Sequence, residues 1–163
     1  MCGISGYIIK KNDCSSLYSS VDFLKEMASN IRHRGPDDFG IWQDIKDGIG
    51  LAHTRLAIVD VSPAGHQPMP SACERYVIAF NGEIYNHNQL REQLEQESNA
   101  PVWRGHSDTE TLLACFAAWG IEKTLQATVG MFAIALWDKQ EQVLTLARDR
   151  FVEKPLYWGW NNG

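Results

Sequence analysis

The chain has 163 residues, 44% of them apolar and 10% aromatic, which is one domain's length with ample material for a core and excludes a disordered or fibrous protein. With 15 Lys and Arg against 20 Asp and Glu, the formal charge is −5, so no general nucleic-acid or anionic-membrane binder is indicated, whereas a small zwitterionic ligand gripped by one or two arginines is compatible. No apolar run approaches the roughly 20 residues of a membrane span, the first residues lack the basic start and apolar stretch of a secretion signal, and the expected compartment is the cytoplasm.

Residues 3–9 are rich in β-formers and predict an opening strand. From Leu17, the apolar residues Val21, Leu24, Ala28 and Ile31 recur at helical spacing and predict an amphipathic helix, ended by the turn residues Arg34-Gly35-Pro36-Asp37-Asp38. Strands are expected at 39–42 and 48–54, with another near 57–59, and then an irregular loop punctuated by Pro63, Pro68 and Pro70. The apolar run 76–80 ends at Asn81-Gly82, a dipeptide that usually marks a hairpin. The next segment, 86–97, carries Leu90 and Leu94 at helical spacing, so Asn81-Gly82 is expected at a strand-to-helix transition with backbone N–H groups exposed. Ser107-Asp108-Thr109-Glu110 is a capping box opening a helix through Leu112, Leu113 and Phe116 that Gly120 closes. A β-hairpin is expected from 131–138 and 142–147, and a last strand from 155–160. Antiparallel strands interrupted by a few helices make the fold class a layered α+β domain and not a doubly wound parallel sheet.

Cys2, Cys14, Cys73 and Cys115 form no C-x-x-C pair, so neither a zinc knuckle nor a thioredoxin-like motif is indicated. Cys14, Cys73 and Cys115 read as small buried hydrophobes. Cys2 is different. Removal of the initiator before a small residue would leave it carrying a thiol nucleophile and, in its own α-amine (reference pKa about 7.7–8.0), a base for the thiol proton. Attack on an amide carbonyl then needs oxyanion donors, which Asn81 and the Gly82 N–H are suited to supply. The five histidines read as structural hydrogen-bonding residues, and no metal site is expected.

Seven blocks of the chain, in order, resemble one family: Met1-Cys2-Gly3-Ile4, Arg32-His33-Arg34-Gly35-Pro36-Asp37-Asp38, Leu51-Ala52-His53-Thr54-Arg55-Leu56-Ala57-Ile58-Val59-Asp60, His66-Gln67-Pro68-Met69, Phe80-Asn81-Gly82-Glu83-Ile84-Tyr85-Asn86, Ser107-Asp108-Thr109-Glu110 and Arg148-Asp149-Arg150-Phe151. The family is the class II glutamine amidotransferase domain of the asparagine synthetase type, and the likeness covers essentially the whole chain. It implies a four-layer αββα sandwich of two antiparallel sheets, the fold of the N-terminal-nucleophile (Ntn) hydrolases. It implies hydrolysis of L-glutamine to glutamate, with the ammonia passed to a separate ATP-dependent synthetase domain. By the same resemblance, Cys2 matches the nucleophile, Asn81 and Gly82 the oxyanion positions, and Arg55 the grip on the glutamine α-carboxylate. Asp108 and Glu83 match positions around the α-ammonium, and Ile58 and Val59 line the pocket through their backbone. Arg34 is expected to brace the loop over the nucleophile or substrate.

Taken singly, these residues also admit bland readings: Arg55 as an ion-pair arginine, Asp108 as a helix-dipole acid, Glu83 as a solvated loop acid. Two rival functions stay open, an Ntn acylase of other amides and a non-catalytic ligand-binding relative. No cofactor is expected in this domain, since ATP and Mg²⁺ belong to the synthetase domain, of which these residues carry no trace. The domain is read as 1–163, ending short of its final strands, and a homodimer is left open. One departure stands out: where the family's late motif has glycine, this chain has Val152, and a β-branched residue there is expected to force a different turn if the position requires positive φ.

Overall fold

The computed structural model describes residues 1–9, 21–58 and 60–160. Two antiparallel sheets form its centre. In the first, β3 (Ile49–Arg55) lies between β1 (Gly3–Ile8) and β2 (Asp38–Asp44). In the second the order is β4 (Met69–Pro70), β5 (Tyr76–Ile84), β6 (Gly130–Asp138) and β7 (Val143–Arg148). Helix α1 (Val21–Asn30) covers the first sheet. Helices α2 (His87–Gln96), α3 (Asp108–Trp119) and the short α4 (Ile121–Ala127) belong to the second.

Strand periodicity explains the layers, because alternate residues face opposite sides. On β3, Ile49 and Leu51 point at the second sheet, where Val77, Ala79, Ala135 and Trp137 meet them, while Ala52 packs against Leu24 and Ala28 of α1. On β5, Ile78, Phe80 and Ile84 turn the other way, onto Leu90 and Leu94 of α2 and Leu112 and Phe116 of α3. Three apolar layers between four structural layers make the αββα sandwich.

Most elements form where the sequence predicts them, with differences that have local causes. Ala57 and Ile58 belong to no strand, because the Ala57 N–H is diverted to the Asp37 carboxylate at 2.9 Å. Val59 lies outside the described residues, as do Leu17 at the expected start of α1 and Cys14. Residues 155–160 form no strand: an apolar run needs a partner to become one, and among the described residues none pairs with it. Asn81 and Gly82 sit inside β5, opposite Ala133 and Phe132 of β6, and not at a strand-to-helix junction. Ser107 caps α3 by accepting from the Glu110 N–H at 3.2 Å, but the Glu110 carboxylate turns back to the N–H groups of Arg104 and Gly105, so the box is half made. Cys115 is buried, its thiol pushed up to about 12 by burial and by Glu97. Cys73 is exposed, contrary to its reading as a core residue. No helix among the described residues is long and apolar enough to cross a membrane.

Candidate functional site

A single cleft at one end of the sandwich gathers Cys2, Arg55, Ile58, Asn81, Gly82, Glu83 and Asp108 from four different stretches of chain. Val59 cannot be placed there, since it lies outside the described residues, and Arg34 does not line the cleft. Met1 still precedes Cys2 and lines the same cleft.

Cys2 stands immediately before β1, whose pairing with β3 is registered from Gly3 opposite Thr54. Its Sγ accepts the Leu56 N–H at 3.3 Å and faces the Leu56 carbonyl at 3.6 Å. The Arg34 Nε donates to the Cys2 carbonyl at 3.2 Å, a bracing contact to the backbone of Cys2.

On β5, backbone N–H groups two residues apart point to the same side. The Phe80 N–H donates to Gln67 Oε1 at 2.7 Å and the Ile84 N–H to Asp108 Oδ2 at 3.0 Å. Gly82 lies between them, with its N–H aimed to the same side, away from β6, and β4, which begins only at Met69 opposite Ile78, does not extend far enough to cover it. The Asn81 side-chain amide is buried and makes no hydrogen bond to another described residue. A backbone N–H and an amide group are thus left unspent side by side, which is what an oxyanion requires. Gly82 is obligatory for a second reason: a Cβ there would lie 2.2 Å from the Met131 carbonyl oxygen.

Arg55 ends β3 and is 8% exposed. Its guanidinium donates to the Ser62 carbonyl at 3.1 Å and to the Asp60 carbonyl, so the loop around residues 60–65 wraps the side chain and fixes its plane. Gly65 permits this, because a Cβ would collide with Nη2. The donors not used by the loop remain for a ligand carboxylate, in the bidentate geometry that lysine cannot offer. Asp60 is itself fixed, with Oδ1 accepting the Ser62 N–H at 2.8 Å and Oδ2 the His106 N–H at 3.0 Å. Burial alone would raise its carboxyl, but Ser62, the two N–H groups and Arg55 hold it below the ordinary carboxylate range.

Asp108 is the first residue of α3, and its carboxylate accepts from the N–H groups of Ile84 and Thr109. Burial pushes this carboxyl above its usual range; the two N–H donors and His87 pull it partly back, and Glu83 adds to the rise. The helix start therefore serves as a fixed mount, aiming an acid into the cleft and tying α3 to β5.

Two lining residues have no role that the sequence alone assigns. Gln67 bridges β5 and α3, since its Nε2 also reaches Thr109 Oγ1 at 3.3 Å. It falls within one of the seven blocks, but only the fold shows that its amide spans two elements. Lys154 is 4% exposed, and its Nζ lies 2.9 Å from Met1 Sδ. His53 and His66 are structural, as expected: Nε2 of the buried His53 meets the Phe80 carbonyl at 2.9 Å, and Nδ1 of His66 meets Asp38 at 2.8 Å.

The αββα sandwich of two antiparallel sheets is of the Ntn-hydrolase fold type, and its cleft sets Cys2 against unspent amide and N–H donors. The comparisons with known proteins agree. The chain belongs to the glutamine amidotransferase domain family, which matches residues 1–163. It is 40% identical over 158 residues to "Asparagine synthetase [glutamine-hydrolyzing] 1" of Bacillus subtilis (strain 168), covering 97% of this chain and 24% of that protein. It is 35% identical over 164 residues to "Amidase chry2" of Gibberella zeae, covering 97% of this chain and again 24% of the relative. The chain thus spans about a quarter of the length of these relatives. Among solved structures, glutamine phosphoribosylpyrophosphate amidotransferase from B. subtilis shares the fold, with a TM-score of 0.63 at 19% identity over 91% of this chain and 36% of its own.

Proposed function

We propose that this glutamine amidotransferase domain hydrolyses the side-chain amide of L-glutamine through a thioester on Cys2 and delivers the ammonia to an ATP-dependent, asparagine-synthetase-like domain of the same protein. The observation that carries the reading is the meeting, in one cleft, of Cys2, the unspent donors of Asn81 and Gly82, and a fixed Arg55 and Asp108. Arg55 and Asp108 select an amino acid with both α-groups free: the guanidinium takes the carboxylate and Asp108, with Glu83, the ammonium. Ile58 borders the pocket, and Val59 is assigned to it by the family resemblance alone. This polarity favours free glutamine over the acyl amides of an Ntn acylase.

The steps are set by the groups present. With Met1 removed, the Cys2 thiol gives its proton to the Cys2 α-amine, and the sulfur attacks the glutamine amide carbon. The developing oxyanion accepts from Asn81 and the Gly82 N–H. The amine returns the proton to the leaving nitrogen, the C–N bond breaks, and ammonia departs, leaving a γ-glutamyl thioester. Water, deprotonated by the same amine, attacks the thioester; the C–S bond breaks and glutamate leaves with the thiol restored. ATP and Mg²⁺ act in the synthetase domain, and the acceptor (aspartate, a sugar or another carboxylate) is chosen there. Cytoplasmic work suits a free thiol.

The test is the intact mass of the protein before and after 6-diazo-5-oxo-L-norleucine, with ammonia release from L-glutamine measured in parallel. Loss of Met1 and one adduct on Cys2, competed by L-glutamine and absent in Cys2→Ala, is the expected result. Processed protein that takes no adduct and releases no ammonia overturns the reading in favour of a ligand-binding relative.

A further inference from the structure

Lysine is almost never fully buried without a partner of opposite charge. Lys154 is 4% exposed, among the described residues it forms no ion pair, and the contact of its Nζ is the thioether of Met1 at 2.9 Å. Its placement is enforced. The Asp149 carboxylate accepts the N–H groups of Phe132, Glu153 and Lys154 at 3.2, 2.9 and 3.0 Å, folding the loop after β7 so that residue 154 enters the cleft. Because Met1 Sδ is one short side chain from the Cys2 nitrogen, chain geometry holds the ammonium within about 9 Å of that nitrogen.

We propose that Lys154 is a positioning residue for the nucleophile: its buried positive charge keeps the α-amine of the processed Cys2 neutral, so that the amine is ready to accept the thiol proton. The inference rests on the glutaminase reading. A free α-amine with a reference pKa of about 7.7–8.0 is mostly protonated at neutral pH and useless as a base. A cation at this range, in a cleft of intermediate dielectric, shifts that balance by on the order of one pH unit toward the neutral form, and stabilises the thiolate by the same charge.

The other charged groups facing Cys2 are fixed in place, and their charges are the same in wild type and in every Lys154 variant. Arg34, from the turn after α1, holds the Cys2 carbonyl, and Arg55, from β3, holds the carbonyls of residues 60 and 62. Asp60 and, on α3, Asp108 are held by backbone N–H groups, as is Asp149. Glu83 on β5 lines the cleft without forming an ion pair to Lys154.

The experiment compares wild type, Lys154→Met, Lys154→Gln and Lys154→Arg after Met1 removal is verified by mass. Two pH profiles are recorded: kcat/KM for L-glutamine, and the rate of iodoacetamide alkylation mapped to Cys2. The neutral variants are expected to move the acidic limb of both profiles up by about one pH unit. That is close to a ten-fold loss near pH 6.5, fading toward pH 9, with little change in the glutamine KM. Lys154→Arg is expected to restore the wild-type limb. A loss equal at every pH, or an unmoved limb in whichever neutral variant folds, overturns the proposal. Alkylation needs no substrate, so it decides the role of Lys154 even if the protein proves not to hydrolyse glutamine, an outcome that would sink the glutaminase reading alone.

Discussion

Val152 is a β-branched residue held at φ 62°, in the left-handed region. The different turn that its side chain would prefer does not form, because the Asp149 main chain and carboxylate together fix the loop: the Val152 N–H donates to the Asp149 carbonyl at 3.2 Å, and the carboxylate holds the N–H groups of Glu153 and Lys154. Replacing Val152 by glycine removes a backbone penalty of about 2–3 kcal/mol, the upper part of the range for non-glycine residues in this region. Against that stand about 0.7 kcal/mol of extra unfolded-state entropy and about 0.7 kcal/mol of lost apolar contact for a side chain that is 52% exposed. The net is a stabilisation of about 1 kcal/mol, or a rise in Tm of about 2–4 °C for a domain of this size. Thermal unfolding followed by near-UV circular dichroism measures it directly. Val152→Ala is the control: it sacrifices the same contacts and keeps most of the left-handed penalty, so its Tm should not rise. A Val152→Gly protein no more stable than wild type, or an alanine variant that gains as much, would refute the claim that backbone conformation is what this position stores.

Arg55→Lys keeps the charge but loses the fork, and should raise the glutamine KM by about ten-fold or more with a smaller change in kcat, read from steady-state ammonia release. Asp108 has a carboxyl raised above the ordinary range, so glutamine binding should weaken as pH falls through that raised value, and an Asp108→Asn protein should show weak binding that no longer varies with pH; calorimetric titration across pH checks both. Asp149 titrates the other way: burial would raise it, but the N–H groups of Glu153, Lys154, Phe132 and Phe151 hold its carboxyl down. Its contribution to stability is therefore full above the unfolded carboxylate value of about 3.9 and is lost as pH falls through the lower folded value. Asp149→Asn should cost about 1–3 kcal/mol near neutral pH and flatten the acid limb of the stability curve, as measured by urea unfolding at several pH values.

Periodicity carried the fold. Leu24 and Ala28, or Ile78 and Phe80, repeat at spacings that allow only one face to be buried, and the sandwich results from stacking those faces. Residues 155–160 show the limit of that logic. Their β-forming character is real, but a strand is a relation between two segments, and composition says nothing of whether a partner stands beside it. The candidate site was legible as a set of residue types in a family's order, yet its geometry was not. An open N–H was expected at Gly82 because a strand ended there; it is open because the neighbouring β4 begins only at Met69, short of it. Lys154 gave no sign of burial, since a lysine in a loop reads as solvated until the Asp149 carboxylate is seen folding that loop inward.

The edge of β5 explains why the cleft needs contributions from so much of the chain. A sheet edge presents a row of alternate N–H groups that any passing strand or carbonyl can occupy, and an oxyanion site needs one of them open while its neighbours are quiet. Gln67 closes the N–H of Phe80 and Asp108 that of Ile84, so the edge is sealed on both sides of Gly82 by side chains, which stop where a pairing strand would run on. On the proposed glutaminase reading, Asp108 would couple substrate recognition to the oxyanion donors, because the carboxylate proposed to draw in the ammonium is bonded to the strand that carries Gly82. Asp108→Asn should on this account lower kcat as well as raise KM, because the asparagine must turn its amide oxygen to Ile84 and lose the charge that strengthens the bond. A variant that raises KM with kcat untouched would show that the two jobs are separable.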